Sequence, residues 1–388
     1  MSKPRMGQEL PFAETEFRNR IENIQSNLNE KKLAAAVLFD PENMFWLTGY
    51  QTIGYFTFQC LLVLNDRDPI LITRKVNKYL AEATPTLSDC VSIADDESPV
   101  EKLSQLLNSL FSASDEIGLE TRAWYLTVRD YHEIKSLSHC IIGEWNDQIE
   151  PFRMIKDAEQ IKRMRHASRA AEAGLDAALG AIEIGATEND LAAAMFNASI
   201  TAGSEYLGHP PLVVSGERTA LCFAMWRRRA LLEGDVVLLE AAGCVDRYHA
   251  MIARSAVLGK ASQKQKDMAA VIIAVLEKAI ETIKPGAISA EVDDACRKIT
   301  EQNDVSGSFN HRTGYAIGIG FPPNWSEGRF LALRPNDPTV LRPGMTFHCV
   351  PTLFDEEYGM CFSESVLVTE SGCEVLTKYP RKLFEVPV

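Results

Sequence analysis

The sequence lacks three features that would assign it to a membrane, to nucleic acid or to a disulfide-rich class. It has no uninterrupted apolar run of about 18 residues, and its first residues, MSKPRMGQELPF, lack the apolar core of a signal peptide. It has no excess of basic residues, because 53 acidic against 40 basic side chains give a net charge of −13, which argues against nucleic acid or an anionic membrane as a partner. Its nine cysteines are odd in number and lack CxxC spacing, which indicates a reducing interior. We therefore expect a cytoplasmic protein that binds a small molecule.

Two domains fit the length and composition of the chain. Its 388 residues are 46% hydrophobic and 24% charged, as in ordinary globular proteins, and they suffice for two hydrophobic cores. Hydrophobic residues at helical spacing predict a helix over residues 13–32, and the apolar run that follows predicts a strand at 33–39. We place a small α/β domain at residues 1–150 and a second domain at residues 151–388.

The second domain contains an internal repeat. Residues 182–191 (IEIGATENDL) align with residues 283–292 (IKPGAISAEV), and each segment reads as a helix end, a glycine turn and the start of the next helix. Further along, a segment that ends at Glu240 aligns in the same sense with one that ends at Val350. The repeat predicts two similar halves in which these two residues occupy equivalent positions.

The stretch 233–259 (EGDVVLLEAAGCVDRYHAMIARSAVLG) predicts two paired strands, with Glu240 at the end of the first. This stretch resembles the signature of the creatinase/aminopeptidase P/methionine aminopeptidase family, whose fold is known as pita-bread. The resemblance implies a creatinase-like N-terminal α/β domain. It also implies a C-terminal pita-bread domain, in which helices cover the outer face of a curved, pseudo-two-fold antiparallel sheet and the concave face builds the pocket.

The positions that hold two divalent metals in metallopeptidases of this family are altered. Matching the family's motifs residue by residue puts Glu240, Met251, Tyr315, Val350 and Ser363 at the five ligand positions. A thioether is a poor ligand for a hard cation, and a single carboxylate cannot hold a catalytic pair of metals. We therefore expect no catalytic metal and no other cofactor.

Strand alternation suggests which polar side chains share the pocket with Glu240. If position 251 faces the pocket as in the family, so does His249, two residues earlier, and by the same rule His348 shares a face with position 350. Glu240 is costly to bury without a partner, so we expect it to be catalytic and ionised beside a protonated histidine. The alternatives are structural histidines and a Glu240 paired with Arg254.

Further candidates come from segments that resemble other parts of the family. His209 precedes a strand and loop like the family's P-x-V-x-S-G, and Phe223 and Trp226 suit stacking on a small planar or cationic ligand or, equally, core packing. Cys222 is a possible nucleophile but lacks an adjacent base. Glu364 follows a ligand position and is a candidate for substrate binding or for a structural role.

The N-terminal domain also carries a resemblance. Residues 44–50 (MFWLTGY) resemble a strand of the family's N-terminal domain, and residues 55–59 read as a second strand with alternating aromatic side chains. In family dimers the N-terminal domain of one subunit covers the active site of the other. The resemblance therefore implies a homodimer in which Tyr55 lines the neighbour's pocket, and an ordinary core strand is the alternative.

The segment 314–328 (GYAIGIGFPPNWSEG), taken with Glu240 and the motifs around it, resembles the metal-free ectoine hydrolase branch of the family. The resemblance implies a hydrolase of a non-peptide C–N bond that opens a small cyclic amidine. Glu240 would attack the amidinium carbon or activate water, His249 or His348 would carry protons, and Tyr315 would bind the substrate. The alternatives are a creatinase-like hydrolase of another guanidino or N-acyl amino acid, a metal-dependent Xaa-Pro dipeptidase, and a non-catalytic binding protein.

Overall fold

The computed structural model describes residues 10–87 and 89–388. The chain folds into two compact units, one ending at Pro151 and the other spanning Phe152–Val388. Within the described ranges, every helix is either too short or too polar to cross a bilayer.

The first unit is built on a six-stranded mixed sheet. Its strands are β1 (Ala35–Leu38), β2 (Cys60–Leu64), β3 (Ile70–Arg74), β4 (Asp89–Ile93), β5 (Glu116–Leu119) and β6 (Ile141–Glu144), in the spatial order β4-β3-β2-β1-β5-β6. Its helices are α1 (Glu14–Glu30), α2 (Pro41–Thr48), α3 (Lys78–Glu82), α4 (Pro99–Leu110) and α5 (Val128–Leu137), and α6 (Glu150–Met154) includes the boundary between the units. The central strands β1 and β2 are buried along their whole length, as expected when both faces of a sheet are covered. The predicted helix at 13–32 and strand at 33–39 are confirmed.

Two strand predictions in this unit are wrong. Most of residues 44–50 lies in helix α2, because Pro41 occupies its first turn and Gly49 ends it in the left-handed conformation with φ of 74°. Residues Gly54–Phe56 form a single 3-10 turn, and the three residues after it have no regular structure. The alternation expected for residues 55–59 is therefore absent. Tyr55 is buried against the ring of Tyr125, whereas Phe56 is exposed.

The second unit consists of four long helices and two sheets. The helices are α7 (Ala158–Gly180), α8 (Glu188–Thr201), α9 (Gln263–Thr282) and α10 (Ser289–Gln302). One sheet has the order β17-β9-β8-β7, formed by β7 (Leu212–Ser215), β8 (Val236–Val245), β9 (Tyr248–Leu258) and β17 (Phe384–Val386). The other has the order β11-β10-β12-β15-β16, formed by β10 (Gly314–Ala316), β11 (Ala332–Leu333), β12 (Thr346–Cys349), β15 (Glu364–Thr369) and β16 (Gly372–Val375). A hairpin of β13 (Thr352–Phe354) and β14 (Gly359–Cys361) completes the unit.

The internal repeat is visible in the backbone. Gly185 and Gly286, between the two helices of each half, have φ of 85° and 84°, and Gly234 and Gly344, at the turns before β8 and β12, have φ of 88° and 87°. These left-handed conformations favour glycine, which explains why glycine stands at the same place in both halves. Helices α7 and α8 thus correspond to α9 and α10.

Strand alternation divides β8 between a helix-covered face and a pocket face. Val237, Leu239 and Ala241 pack into the core beneath α7 and α8, so Leu238 and Glu240 point to the opposite side. The sequence suggested that Glu240 ends this strand. The strand continues to Val245, however, so Glu240 lies in its middle. Ladders on both sides hold its backbone, opposite Leu212 of β7 and Ala253 of β9.

The two sheets of the second unit are joined through β9. The backbone N–H of His249 donates to the carbonyl of Gly318 at 2.9 Å, and the N–H of Ser363 donates to the carbonyl of Ala253 at 3.1 Å. The middle of β9 is therefore covered by segments of the second half. Side chains in this covered part of β9 are therefore shielded from the pocket.

Candidate active site

A small cavity opens on the face of the sheets opposite the helices in the second unit. It encloses about 230 Å³ and is lined by residues of both halves. Its walls are mainly apolar, and its polar side chains are those of His209, Thr219, Glu240, His311, Arg312, Tyr315, Asn324, Trp325, Ser326 and Thr352. Small, mostly apolar cavities with few polar groups are typical of sites for small molecules.

Glu240 presents a buried carboxyl group to this cavity. Its side chain is 8% exposed, and within residues 10–87 and 89–388 it has no hydrogen-bond partner. The nearest ionisable nitrogen is Nδ1 of His348, 3.7 Å from Oε1, which is beyond hydrogen-bond distance. Burial raises the pKa of the Glu240 carboxyl to about 7. The group therefore exchanges protons in the neutral range.

A chain of hydrogen bonds runs behind the cavity from Trp325 to Ser363. Trp325 donates its indole N–H to the hydroxyl oxygen of Tyr315 at 3.2 Å, and this oxygen lies 2.9 Å from Nδ1 of His348. Nε2 of His348 lies 2.7 Å from Oγ of Ser363, which accepts the backbone N–H of Ala253 at 2.6 Å. The register of β10 and β12 places Tyr315 directly opposite His348.

Donor and acceptor counting assigns the protons in this chain. Ser363 is buried, and among the described residues Nε2 of His348 is the one acceptor within hydrogen-bond distance of its hydroxyl, so the hydroxyl proton goes to Nε2. The imidazole proton then lies on Nδ1 and is donated to the Tyr315 oxygen, which also accepts from Trp325. The O–H of Tyr315 is thereby left to donate to a ligand in the cavity that its side chain lines.

The pKa values in this chain correct one expectation. Burial, with a smaller contribution from His311, lowers the pKa of His348 to about 3, so the imidazole is neutral over the working range of an enzyme. Burial and the negative charge of Glu240 hold the pKa of Tyr315 well above its usual range. His348 is therefore not the protonated partner that was expected to keep Glu240 ionised, because burial disfavours the charged form of both groups.

His249 lies outside the cavity lining, contrary to the alternation argument. Its Nε2 accepts the backbone N–H of Gly208 and its Nδ1 lies 2.9 Å from the carbonyl of Arg247, so both ring nitrogens are occupied by backbone. Its pKa is lowered to about 3, chiefly by burial. The same strand face holds Met251, but segments of the second half cover both residues. His249 thus anchors the segment that precedes His209.

Glu364 and Trp226 also lie outside the cavity. Glu364 is buried and its carboxylate is engaged by Arg254 at 2.7 Å and by Arg381 at 2.9 Å, with a further hydrogen bond from Thr377. The substrate-binding prediction for Glu364 is wrong, and so is the alternative that pairs Arg254 with Glu240. Trp226 packs edge-on against Phe196 of α8, with ring centroids 5.7 Å apart, which supports the core-packing alternative.

His209, Phe223 and Cys222 do line the cavity. The His209 ring lies 4.8 Å from that of Trp325, and burial lowers its pKa. Phe223 is exposed and has a φ of 62°, an uncommon conformation for a residue that is not glycine. Burial and the charge of Glu240 raise the pKa of the Cys222 thiol, so Cys222 is not activated as a nucleophile. Tyr55 belongs to the first unit, where it packs on Tyr125.

Sequence reasoning did not single out Trp325 or Arg312. Trp325 stands in the segment 314–328, whose resemblance to the family was recognised, and Arg312 lies two residues before it. A tryptophan indole N–H needs an acceptor when buried, and the hydroxyl of a nearby tyrosine supplies it. The useful signal would have been the hydroxyl of Tyr315. A phenol at one of the family's metal-ligand positions needs hydrogen-bond partners when it is buried, and nearby polar side chains could have been considered as those partners.

The residues at the five metal-ligand positions do not fit a pair of metal ions. Glu240 supplies the single carboxylate, Met251 is fully buried outside the cavity lining, and Val350 offers no donor. The hydroxyls of Tyr315 and Ser363 are already bonded to His348. Hard divalent cations need several anionic or imidazole ligands in fixed geometry, which this set does not provide.

One acidic cluster lies in the first unit. The carboxylates of Asp40, Glu120 and Glu150 lie within 4.8 Å of one another, the one such grouping found over the described ranges. Backbone N–H groups of Phe39 and Asp40 donate to Glu120, and the Asn43 amide donates to both glutamates. Burial and the neighbouring negative charges hold the pKa of Glu120 well above its usual range. We interpret the cluster as structural because its oxygens accept from the protein.

Comparison with known proteins agrees with this architecture over nearly the whole chain. Residues 162–370 match metallopeptidase family M24, and residues 20–155 match the creatinase/prolidase N-terminal domain. An ectoine hydrolase from Halomonas elongata is 29% identical over 97% of this chain and 98% of its own length. An Xaa-Pro dipeptidase from Pyrococcus furiosus is 23% identical over 95% of this chain and all of its own.

Solved structures confirm the two-domain pita-bread fold. A prolidase from Thermococcus sibiricus superposes with a TM-score of 0.86 at 20% identity, covering 96% of this chain and 99% of that one. An Xaa-Pro dipeptidase from Bacillus anthracis gives a TM-score of 0.82 at 21% identity, covering 96% and 100%. The chain therefore belongs to metallopeptidase family M24, a family of hydrolases, and carries the creatinase/prolidase N-terminal domain.

Proposed function

We propose that this protein is a metal-independent hydrolase that opens a small cyclic amidine, with ectoine as the first substrate to test. The observation that carries the proposal is Glu240, a buried carboxyl with a pKa of about 7 that faces a small cavity without a protein partner. A group of this kind takes up and releases a proton at neutral pH, as general acid–base catalysis requires. The ectoine hydrolase of Halomonas elongata is a relative over nearly the full length of both chains.

The cavity supports a small, compact substrate. Its volume of about 230 Å³ and its mainly apolar walls suit one ring better than an extended peptide. The metal positions support a chemistry other than that of the metallopeptidases, since four of the five residues there cannot supply a carboxylate or imidazole. An amidinium carbon is already electrophilic and does not need a Lewis acid.

In the proposed reaction, ionised Glu240 removes a proton from a water molecule as the water oxygen bonds to the amidinium carbon. Glu240 then returns this proton to one ring nitrogen, the bond between that nitrogen and the carbon breaks, and its electron pair stays on the nitrogen. The hydroxyl of the intermediate becomes the amide carbonyl, and its proton leaves with the amine. Amidinium and water thus give an amide and an ammonium group, and Glu240 is ionised again.

Tyr315 and His348 assist this reaction in different ways. The free O–H of Tyr315 donates to the substrate, and neutral His348 fixes that orientation through Nδ1. Because the pKa of His348 is about 3, we assign the proton transfer to Glu240 and not to the histidine. Direct attack of the Glu240 carboxylate on the amidinium carbon is the other route, and it would leave a covalent adduct visible by mass spectrometry after an acid quench.

The experiment is turnover of ectoine followed by proton NMR, with creatine and an Xaa-Pro dipeptide offered in parallel. We expect ring opening of ectoine by the wild type, loss of turnover in Glu240→Gln, and unchanged turnover in Glu183→Gln, an exposed carboxyl used as the matched control. Hydrolysis of the dipeptide with no opening of ectoine would reject the proposed substrate class. Full activity of Glu240→Gln would reject the assigned role of the carboxyl.

A further inference from the structure

Arg312 places a positive charge in the same cavity that holds Glu240. Among the described residues that line the cavity, Arg312 is the one arginine or lysine. His209 and His311 also line it, but burial lowers the pKa of both imidazoles. The positive charge of the cavity at neutral pH therefore comes from Arg312.

The guanidinium of Arg312 is held in place by neutral groups only. Its carbon lies 4.7 Å from the centre of the Tyr315 ring, and Nη1 donates to the carbonyl of Gly328 at 3.1 Å. Across the described ranges Arg312 forms no salt bridge, and its other N–H groups have no hydrogen-bond partner. The two fully buried arginines of this unit differ from it: Arg254 is paired with the carboxylate of Glu364, and Arg247 donates to the carbonyls of Tyr206 and Gly320. An arginine at the wall of a cavity that has only one such hydrogen bond and no carboxylate partner is suited to an anionic ligand.

Gly328 is adapted to this position of the guanidinium. A Cβ atom added to Gly328 would lie 2.8 Å from Nη2 and 3.0 Å from Nη1 of Arg312, and 2.9 Å from Cβ of Tyr315. The absence of a side chain thus lets the guanidinium lie flat against the backbone, beside Tyr315. An alanine here would crowd both the guanidinium and Tyr315.

We propose that Arg312 binds a carboxylate of the substrate, so that the site accepts small ring compounds with a carboxylate beside the reacting group. The inference rests on the proposed function of the cavity. A ligand with both charges would place its carboxylate on the guanidinium fork and its cationic, electrophilic end at Glu240. A ring that lacks the carboxylate would leave the guanidinium without a partner, and specificity would follow from that difference.

The test is calorimetric binding of two unreactive rings, piperidine-2-carboxylate and piperidine-2-carboxamide, together with the KM for ectoine. We expect the wild type to bind the carboxylate about 10- to 100-fold more tightly than the amide, as for hydrogen bonds between charged groups. Arg312→Gln should lose this preference and raise the KM for ectoine. The control is Arg129→Gln, which changes a side chain of the first unit that is 88% exposed, and it should keep the binding preference and the KM of the wild type. If Arg312→Gln does not fold, Arg312→Lys provides the comparison, because it keeps the charge but loses the planar fork that binds a carboxylate through two hydrogen bonds.

The outcomes separate this inference from the proposed function. A carboxylate preference that depends on Arg312, without turnover of ectoine, would uphold the inference and reject the reaction. Turnover of ectoine with an unchanged KM in Arg312→Gln would uphold the reaction and overturn the inference. Equal binding of the two rings by the wild type, or no measurable binding of either, would also overturn it.

Discussion

Replacing Glu240 by glutamine should stabilise the protein at alkaline pH while abolishing activity. The carboxyl ionises at an ordinary pKa of 4.5 in the unfolded chain but holds its proton up to about 7 in the folded one. Stability is therefore lost as pH rises from 4.5 to 7, because the unfolded state ionises first. At about 1.4 kcal/mol for each pH unit between the two values, Glu240 costs about 3 kcal/mol above pH 7. Glutamine resembles the protonated acid and avoids this cost.

Thermal unfolding at pH 5 and pH 8 tests this prediction. For a unit of this size, about 3 kcal/mol corresponds to a shift of about 6–12 °C in Tm, which should appear at pH 8 and nearly vanish at pH 5. Glu183→Gln, on the surface, should leave Tm unchanged at both values. A Tm for Glu240→Gln that equals or falls below that of the wild type at pH 8 would refute the reasoning, since it would mean that the carboxylate is stabilised by partners in the folded state.

Three further predictions follow from the site. The value of kcat/KM should rise about tenfold per pH unit below pH 7 and level off above it, because Glu240 acts when ionised; a profile flat between pH 5 and 8 would contradict this. Tyr315→Phe should lower kcat about 100-fold, because it removes a hydrogen-bond donor to the substrate, and should also lower Tm, because it leaves the buried N–H groups of Trp325 and His348 without their acceptor; unchanged kcat would limit Tyr315 to a structural role. Glu364→Gln should lower the free energy of unfolding by about 3 kcal/mol or more by leaving Arg254 unpaired, which denaturant unfolding measures, and a neutral effect would show that the pair is dispensable.

The architecture could be predicted because its signals are local. The glycine turns at Gly185 and Gly286 require a left-handed backbone that few other residues adopt, so they mark the same place in both halves. Glu240 could be placed in the pocket because an acid in an otherwise apolar strand must face a space that tolerates it. Both inferences need only the sequence near the residue concerned.

The rest of the site depends on contacts between distant segments. Alternation correctly gave the face of β9 on which His249 lies, but the second half of the domain covers that face there. The partner of Arg254 is Glu364, 110 positions away, while Glu240 lies closer in sequence. Residues 44–50 form a helix because the proline and glycine that flank it set its ends, whereas its apolar composition also suits a strand.

The most direct test of the central claim is the dependence of ectoine turnover on bound metal. Metal content would be measured by mass spectrometry on the purified protein, and kcat would be determined before and after EDTA treatment and after addition of Mn²⁺, Co²⁺ or Zn²⁺. The donor set around Glu240 predicts that kcat is independent of metal content and unaffected by EDTA. Activity that falls with EDTA, returns with one of these ions and scales with bound metal would contradict the account.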